Sequence, residues 1–316
     1  MSLVPEALRD TLVVGGHRLG WRAVRRMPER AAYALFDAAA DLTVARGGAK
    51  RLRANYARVR PELSEAELDA LVRTGMRAYL RYYCEAFRLP DLGPEGIAAR
   101  VRVEGDAPVR AVIEEGGSVV CFLGHMGNWD LAGAWGTTSL GPVTTVAERL
   151  EPEAVFEEFL AFRQGLGMTI LPLTGGLDVF TALRAAARRP GIIPLLADRD
   201  LTSRGVEVDF CGRRARMAPG PAALALAERR PLHPVSIRHE RVARGWGILI
   251  TFHPPVTVPD AGATRAKAMA MTQECADVLG EQVRAHTADW HMLQRVFVED
   301  LDPARLRGDT PAEEGS

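Results

Sequence analysis

The stretch GSVVCFLGHMGNWD, residues 117–130, decides the fold of this chain. It opens with an uninterrupted apolar run behind two glycines, which is typical of a strand buried on both faces. Strands of that kind belong to parallel sheets that are covered by helices. The apolar run ends at His125, and Asp130 follows five positions later. The stretch therefore predicts a buried strand with two ionisable side chains just beyond its end.

Beyond this strand the chain alternates between helical and extended patterns. Further strands are predicted at 168–173, 192–197, 206–210, 232–237 and 246–252. Helical patterns cover 151–167, 178–191, 219–230 and roughly 262–286. Strands that alternate with crossover helices predict an α/β fold with a mostly parallel, helix-covered sheet.

The N-terminal part of the chain is helical and basic, with 12 Arg or Lys against 5 Asp or Glu in residues 1–60. One helix face carries four arginines, beside a partly apolar stripe; the residues are Arg18, Arg22, Arg25 and Arg26, and His17, Trp21 and Val24. This pattern fits a helix that lies on an anionic membrane surface. The alternative is a solvated arginine face over a stripe that faces the core.

These patterns predict three parts of the chain. Residues 1–95 form an N-terminal helical subdomain that contacts the membrane, residues 96–300 form the α/β domain, and residues 301–316 form a C-terminal tail. Acidic and basic residues number 40 each, so no net charge attracts nucleic acid. No apolar run approaches the ~20 residues of a spanning helix, and four cysteines without paired spacing predict reduced thiols. We therefore expect a cytoplasmic, peripheral protein.

His125 and Asp198 are the first candidates for chemistry. In open parallel sheets, ligands collect beyond the carboxyl ends of the strands, and each of these residues ends a predicted strand. A histidine can remove a proton from a hydroxyl when a carboxylate holds its other ring nitrogen. Asp198 is predicted as the direct partner, and Asp130 as a helper or a helix-entry residue. The alternative is a core histidine whose ring bonds only to backbone.

Other kinds of site find less support in the sequence. It contains no GxSxG elbow, no P-loop and no GxGxxG after a strand. A metal site could be assembled from His125, Asp130, Asp198 and Asp200. No HExxH-type motif or Cys/His cluster supports that reading, so no metal is predicted.

Three arginines supply positive charge near the strand ends, namely Arg149, Arg163 and Arg199. Guanidinium groups suit the phosphates of a carrier or a lipid headgroup. A solvated place on a helix face is the commoner fate of any single arginine.

Five ordered blocks resemble a known family. They are GHMGNWDLAG, TVAERL, LPLTGG, DRDLTSRGVEVDFCG and ADWHMLQ, between residues 124 and 294. Together they resemble the bacterial membrane-associated acyltransferases that finish lipid A and mycobacterial glycolipids, most closely the phosphatidylinositol mannoside acyltransferases of actinobacteria. The resemblance implies transfer of a long, palmitoyl-like acyl chain from acyl-CoA to the 6-hydroxyl of a mannose on phosphatidylinositol mannosides. It also implies a hydrophobic acyl channel and a place on the cytoplasmic face of the inner membrane.

The resemblance also implies roles for particular residues. His125 matches the catalytic histidine, and Asp198 matches a catalytic acid that is usually a glutamate one methylene longer. Arg163 matches an arginine that lines the donor site, and Arg204 and Glu228 lie near further donor contacts. Additional substrate-binding candidates are Asn128, Glu148 and Arg149. No cofactor is implied beyond acyl-CoA as co-substrate.

The predicted reaction is direct acyl transfer with His125 as general base and without a covalent acyl-enzyme. The partners are acyl-CoA, a glycolipid acceptor and the membrane surface. Rival hypotheses are the same chemistry on another glycolipid or a lysophospholipid, a metal-dependent phosphoesterase, and an acyl-lipid carrier without catalytic activity.

Overall fold

The computed structural model describes residues 20–148, 153–173, 178–200, 202, 204–243 and 245–301. In this part of the chain, a five-stranded sheet has the order β1-β9-β8-β2-β5. Its strands are β1 (Val101–Glu104), β2 (Ser118–Leu123), β5 (Gly191–Leu196), β8 (Leu232–Val242) and β9 (Gly245–Phe252). Neighbours are parallel except for the antiparallel pair β8–β9. The predicted mostly parallel sheet is confirmed.

Two smaller strand pairs flank this sheet. β3 (Thr144–Ala147) and β4 (Thr169–Pro172) are parallel, and a bridge between Val143 and Ile192 joins them to β5. β6 (Val206–Phe210) and β7 (Arg213–Met217) form an antiparallel hairpin. The strands predicted at 168–173 and 206–210 therefore exist, but outside the main sheet.

The helices cover the sheet on both faces. They are α1 (Glu29–Ala45), α2 (Lys50–Val59), α3 (Glu65–Arg88), α4 (Gly93–Ala98), α5 (Ala107–Glu114), α6 (Trp129–Ser139), α7 (Glu153–Gly165), α8 (Val179–Ala187), α9 (Gly220–Glu228) and α10 (Thr264–Ala285). Every residue of β2 is buried, and its side chains alternate between two apolar clusters. Val120 and Phe122 face one cluster, and Cys121 and Leu123 face the other. This burial explains why the sequence of β2 is a continuous apolar run.

The N-terminal helices share a core with the α/β part. The Tyr56 hydroxyl of α2 donates to the Trp290 carbonyl at 2.9 Å, and the Asn55 amide donates to the Met292 carbonyl at 2.8 Å. α3 crosses α2 closely at Gly75, where a Cβ atom would lie 2.3 Å from the Tyr56 hydroxyl. The helical part therefore packs directly on the segment after α10, and the boundary at residue 95 stays a prediction.

Residues 20–26 form part of the predicted basic N-terminal helix. Trp21 packs on Phe87 with ring centroids 4.9 Å apart, and its indole N–H donates to the Phe87 carbonyl. Val24 is buried, whereas Arg22 and Arg26 are exposed. The apolar stripe thus faces the core, and His17 and Arg18 lie outside the described residues. Within the described ranges, no helix is long and apolar enough to span a bilayer.

Candidate active site

His125 and Asp198 meet at the carboxyl edge of the main sheet. β2 and β5 are parallel neighbours with Leu123 opposite Leu196, so the residues that follow both strands arrive at the same place. His125 Nδ1 lies 2.6 Å from Asp198 Oδ1, and the His125 backbone N–H donates to Asp198 Oδ2 at 2.9 Å. The shorter aspartate therefore reaches the ring directly. The Asp198 side chain is fully buried, while that of His125 is 24% exposed.

The Asp198 carboxylate is held by three donors. Besides the two groups of His125, the Trp290 indole N–H donates to Oδ2 at 2.9 Å. Burial raises the pKa of Asp198, but the charge of His125 and these hydrogen bonds outweigh it, so the pKa lies below its ordinary value. Asp198 is thus ionised at neutral pH and can hold a proton on His125 Nδ1, which leaves Nε2 on the exposed side.

Asp130 does not contact His125. It lies in the first turn of α6, where Arg163 Nε of α7 donates to Oδ1 at 2.7 Å and the Tyr82 hydroxyl of α3 donates to Oδ2 at 2.7 Å. Burial lowers the pKa of Arg163, but the charge of Asp130 and its hydrogen bond outweigh burial, so the pKa lies above its ordinary value. The pair is therefore an internal ion pair that ties α3, α6 and α7 together beside the catalytic candidates.

The turn between His125 and α6 is fixed by the segment after α10. The His291 N–H donates to the His125 carbonyl at 2.7 Å, the Gly127 N–H donates to the Asp289 carbonyl at 2.9 Å, and His291 Nε2 lies 3.1 Å from the Gly127 carbonyl. Gly127 has φ 57° and approaches β8 so closely that a Cβ would lie 2.7 Å from the Ile237 carbonyl. Only glycine fits here, and the turn sets the direction of the His125 side chain.

A second histidine–carboxylate pair lies beneath this turn. His239 Nδ1 of β8 lies 2.7 Å from Asp289 Oδ1, and its Nε2 lies 3.6 Å from Glu85 Oε2. The Glu85 carboxylate also accepts the Asn128 amide at 2.8 Å. Burial lowers the pKa of His239, but the two carboxylates outweigh it and raise the pKa to about 9. His239 is therefore protonated at neutral pH, and its charge is balanced inside the protein.

The remaining predicted site residues lie in different places. Asn128 caps α6 by accepting the Leu131 N–H at 2.9 Å. Glu148 is largely exposed and pairs at 2.8 Å with Arg199. Arg204 is exposed on the segment after β5, and Arg149 lies outside the described residues.

Glu228 does not reach His125. It ends α9, just before β8 begins, and pairs with Arg184 of α8 and with Arg188, the residue that follows α8. Because β8 starts opposite Val120, near the start of β2, this cluster lies at the amino edge of the sheet. The six residues of β2 span about 20 Å, which separates Glu228 from the catalytic candidates. Its predicted contact with the donor stays a prediction.

Sequence reasoning missed several residues of the site, namely Tyr82, Glu85, His239, Asp289, Trp290 and His291. The sequence signal was partial: Asp289, Trp290 and His291 lie in the block ADWHMLQ. Tyr82 and Glu85 lie on α3, and His239 lies on β8. The sequence patterns of these elements predict packing and no functional role.

An apolar pocket lies between the sheet and helices α6 and α7. Its empty volume, counted out to the opening, is about 750 Å³. Leu123 and Leu196, the last residues of β2 and β5, line it together with Trp129, whose ring centroid lies 5.7 Å from that of His125. Asp130 and Arg163 contribute the charged part of the lining. The pocket is therefore largely apolar, and one of its lining residues, Trp129, contacts the predicted base.

The candidate metal ligands point in different directions. Asp130 faces Arg163 and Tyr82, and the Asp200 carboxylate accepts the Thr202 N–H at 2.8 Å. Across the described ranges, no three His, Cys, Asp or Glu side chains converge as a metal site would require.

Comparisons with known proteins identify the family of this chain. The family described as bacterial lipid A biosynthesis acyltransferase matches residues 7–299. The chain is 39% identical over 294 residues to the phosphatidylinositol mannoside acyltransferase of Mycolicibacterium smegmatis, an alignment that covers 92% of this chain and 93% of that protein. It is also 39% identical over 289 residues to the Mycobacterium tuberculosis protein of the same name, with 90% and 89% covered. The chain therefore belongs to the bacterial lipid A biosynthesis acyltransferase family, and it is an acyltransferase.

Proposed function

We propose that this protein transfers a long acyl chain from acyl-CoA to the 6-hydroxyl of a mannose on phosphatidylinositol mannosides. The observation that carries the proposal is the His125–Asp198 pair, 2.6 Å apart, beside Trp129, which lines an apolar pocket. The names of two relatives, each aligned over about nine-tenths of this chain, support the acceptor.

His125 acts as the general base. Asp198 keeps the proton on Nδ1, so Nε2 accepts the proton of the acceptor hydroxyl while its oxygen attacks the thioester carbonyl. The tetrahedral intermediate then collapses, the carbon–sulfur bond breaks, and CoA leaves as a thiolate that can take the proton from Nε2. Asp198 stabilises the imidazolium that exists between these steps. No covalent acyl-enzyme forms.

The oxyanion requires hydrogen-bond donors that are fixed before the reaction. α6 begins at Trp129, four residues after His125, and runs back from the carboxyl edge of the sheet. The Leu131 N–H of its first turn donates to the Asn128 side chain, and the preceding N–H groups of Trp129 and Asp130 point toward this edge, where a helix N-terminus favours negative charge. We assign the oxyanion to this turn.

The pocket holds the alkyl chain of the donor. Apart from Asp130, Thr145 and Arg163, the residues that line it are apolar side chains and glycines. Because its walls are apolar strand and helix residues, each methylene that enters leaves water for an apolar surface, which favours binding by about 0.8 kcal/mol.

The protein works at the membrane, on the cytoplasmic face. Leu35 and Leu42, seven residues apart on α1, are 51% and 49% exposed and share one helix face. Exposed Arg22, Arg26 and Arg30 lie nearby in sequence and suit anionic lipid headgroups. Sedimentation with phosphatidylglycerol vesicles tests this: Leu35→Asp with Leu42→Asp should weaken binding, and Val258→Asp, at another exposed apolar residue, should not.

The central experiment incubates the purified protein with palmitoyl-CoA and phosphatidylinositol mannosides, and locates the new ester by mass spectrometry. We expect one palmitoyl group on a mannose 6-hydroxyl, and its loss in His125→Ala while the protein stays folded. A panel with other glycolipids and lysophospholipids decides the acceptor. Binding of the donor without turnover would instead indicate a carrier, and activity that chelator removes and metal restores would indicate a phosphoesterase.

A further inference from the structure

The pocket has a depth that can be followed along α6. Its lining on one side of this helix consists of Trp129, Gly133, Gly136 and Leu140, which recur at helical spacing and form a single stripe. The stripe begins beside His125 and extends about 16 Å at about 1.5 Å per residue. We call the end at Trp129, which is nearest to His125, the mouth of the pocket, and the end at Leu140 its deep end.

The opposite wall shows the same levels. β5 contributes Leu196 at the mouth, Pro194 in the middle and Ile192 at the deep end, and Ile192 is bridged to Val143. Two-residue steps along a strand advance about 6.6 Å, which matches one turn of α6. Both walls thus place Gly133 at the middle of the pocket, and Gly136 and Val143 at its deep end.

Met168 occupies the deep half. It immediately precedes Thr169, whose N–H donates to the Val143 carbonyl at 2.8 Å, so its backbone lies at the deep level. Its sulfur reaches the middle level, because a Cβ atom built on Gly133 would lie 2.5 Å from Met168 Sδ. Met168 is buried and lines the pocket. Its unbranched side chain therefore lies lengthwise in the space that the end of an acyl chain would fill.

Gly133 makes this position of Met168 possible. A glycine inside a helix is less stable than alanine by about 1 kcal/mol, and here any Cβ would collide with the sulfur. We propose that Met168, packed against Gly133, sets the length of the acyl chain that the pocket accepts. This inference rests on the proposed function, and it names the residue that selects among donors.

The test is a competition among lauroyl-, palmitoyl-, stearoyl- and arachidoyl-CoA, read as ratios of kcat/KM. Met168→Ala opens the deep half and should shift the preference toward longer chains. Gly133→Ala pushes the sulfur into the pocket and should shift it toward shorter ones. A methylene in an apolar pocket changes discrimination by about tenfold or more, so each shift should be at least that large. The double variant should return toward the wild-type profile.

Met271→Ala is the matched control. Met271 is as buried as Met168, but it belongs to the apolar cluster on the other face of the sheet. It should lower stability without changing the chain-length profile. A wild-type profile in Met168→Ala, with the wild-type enzyme active, would overturn this inference and leave the proposed function standing. Failure of the wild-type enzyme to transfer any acyl group would overturn both.

A second readout does not depend on turnover. Unreactive alkyl thioethers of CoA should raise the melting temperature, because a ligand stabilises the folded state that binds it. The thioether that gives the largest rise should be longer for Met168→Ala than for wild type. Equal optima in the two proteins would contradict the role of Met168.

Discussion

Two histidine–aspartate pairs lie on either side of one turn, and their geometry is almost the same. His125 Nδ1 lies 2.6 Å from Asp198, and His239 Nδ1 lies 2.7 Å from Asp289. Their surroundings differ, since the side chain of His125 is 24% exposed and that of His239 only 2%. Distance alone does not distinguish a catalytic pair from a structural one.

The second ring nitrogen makes the difference. The His125 ring is partly exposed and turns Nδ1 toward Asp198, which leaves Nε2 for a substrate, whereas Nε2 of His239 lies 3.6 Å from Glu85. His239 is thus a cation held between two carboxylates, with a pKa raised to about 9, and it cannot act as a base at neutral pH. The comparison teaches that a general base needs an unoccupied nitrogen as much as it needs a partner.

The largest effect should follow from Asp198→Asn. The amide can leave the proton on the wrong nitrogen of His125, so we expect kcat to fall by about 10³-fold or more. The readout is acyl transfer at saturating donor, with the melting temperature measured alongside. If the two residues act as a unit, the double variant with His125→Ala should be no less active than His125→Ala alone. Additive losses would separate their roles.

Asp289→Ala should lower the stability of the protein and leave the activity of the folded protein largely intact. It leaves the buried His239 charge facing Glu85 alone, and breaking a buried ion pair costs about 3 kcal/mol of stability. The activity of the folded fraction should change far less than in Asp198→Asn. Urea unfolding and kcat measured on the same preparations check this, with Asp209→Ala, at a side chain that is 77% exposed, as the control. A collapse of kcat at full stability would assign the buried pair to the reaction.

The third prediction concerns pH and the charge on His239. Its pKa is about 9 in the folded protein and 6.5 in the unfolded chain, so the folded state binds the extra proton between these values. The stabilisation is complete below about pH 6.5 and is lost as the pH rises through 9, by about 3 kcal/mol in total. Unfolding free energies from pH 6 to pH 10 should fall in this window for wild type and much less for His239→Gln. Parallel curves would show that His239 does not carry the charge.

The sequence predicted the part of the site that follows from strand order. A strand buried on both faces implies a parallel sheet, in which the carboxyl ends of neighbouring strands lie at one edge. This geometry predicts Asp198, at the end of the neighbouring strand, as the partner of His125, and the structure shows that contact. The fold class followed from the same alternation of strands and helices.

The remaining partners could not be predicted, because they come from packing between distant segments. Trp290 reaches Asp198 across 92 residues, and Glu85 reaches Asn128 across 43. The position of Glu228 is predictable from the sequence, because a helix that leads into a strand of this sheet ends at the amino edge. The family resemblance instead implies that Glu228 lies near the donor, and it takes no account of strand direction.

The smallest effect tests the third donor to Asp198. Trp290→Phe keeps most of the buried ring but removes the N–H that lies 2.9 Å from the carboxylate. A hydrogen bond to a charged group contributes about 1.5–3 kcal/mol, so we expect kcat to fall by about tenfold. Tyr56→Phe is the matched control, since it removes a hydrogen bond to the Trp290 carbonyl without touching Asp198. An equal loss of kcat in both variants would mean that Trp290 only supports the fold around the pair and does not act on its carboxylate.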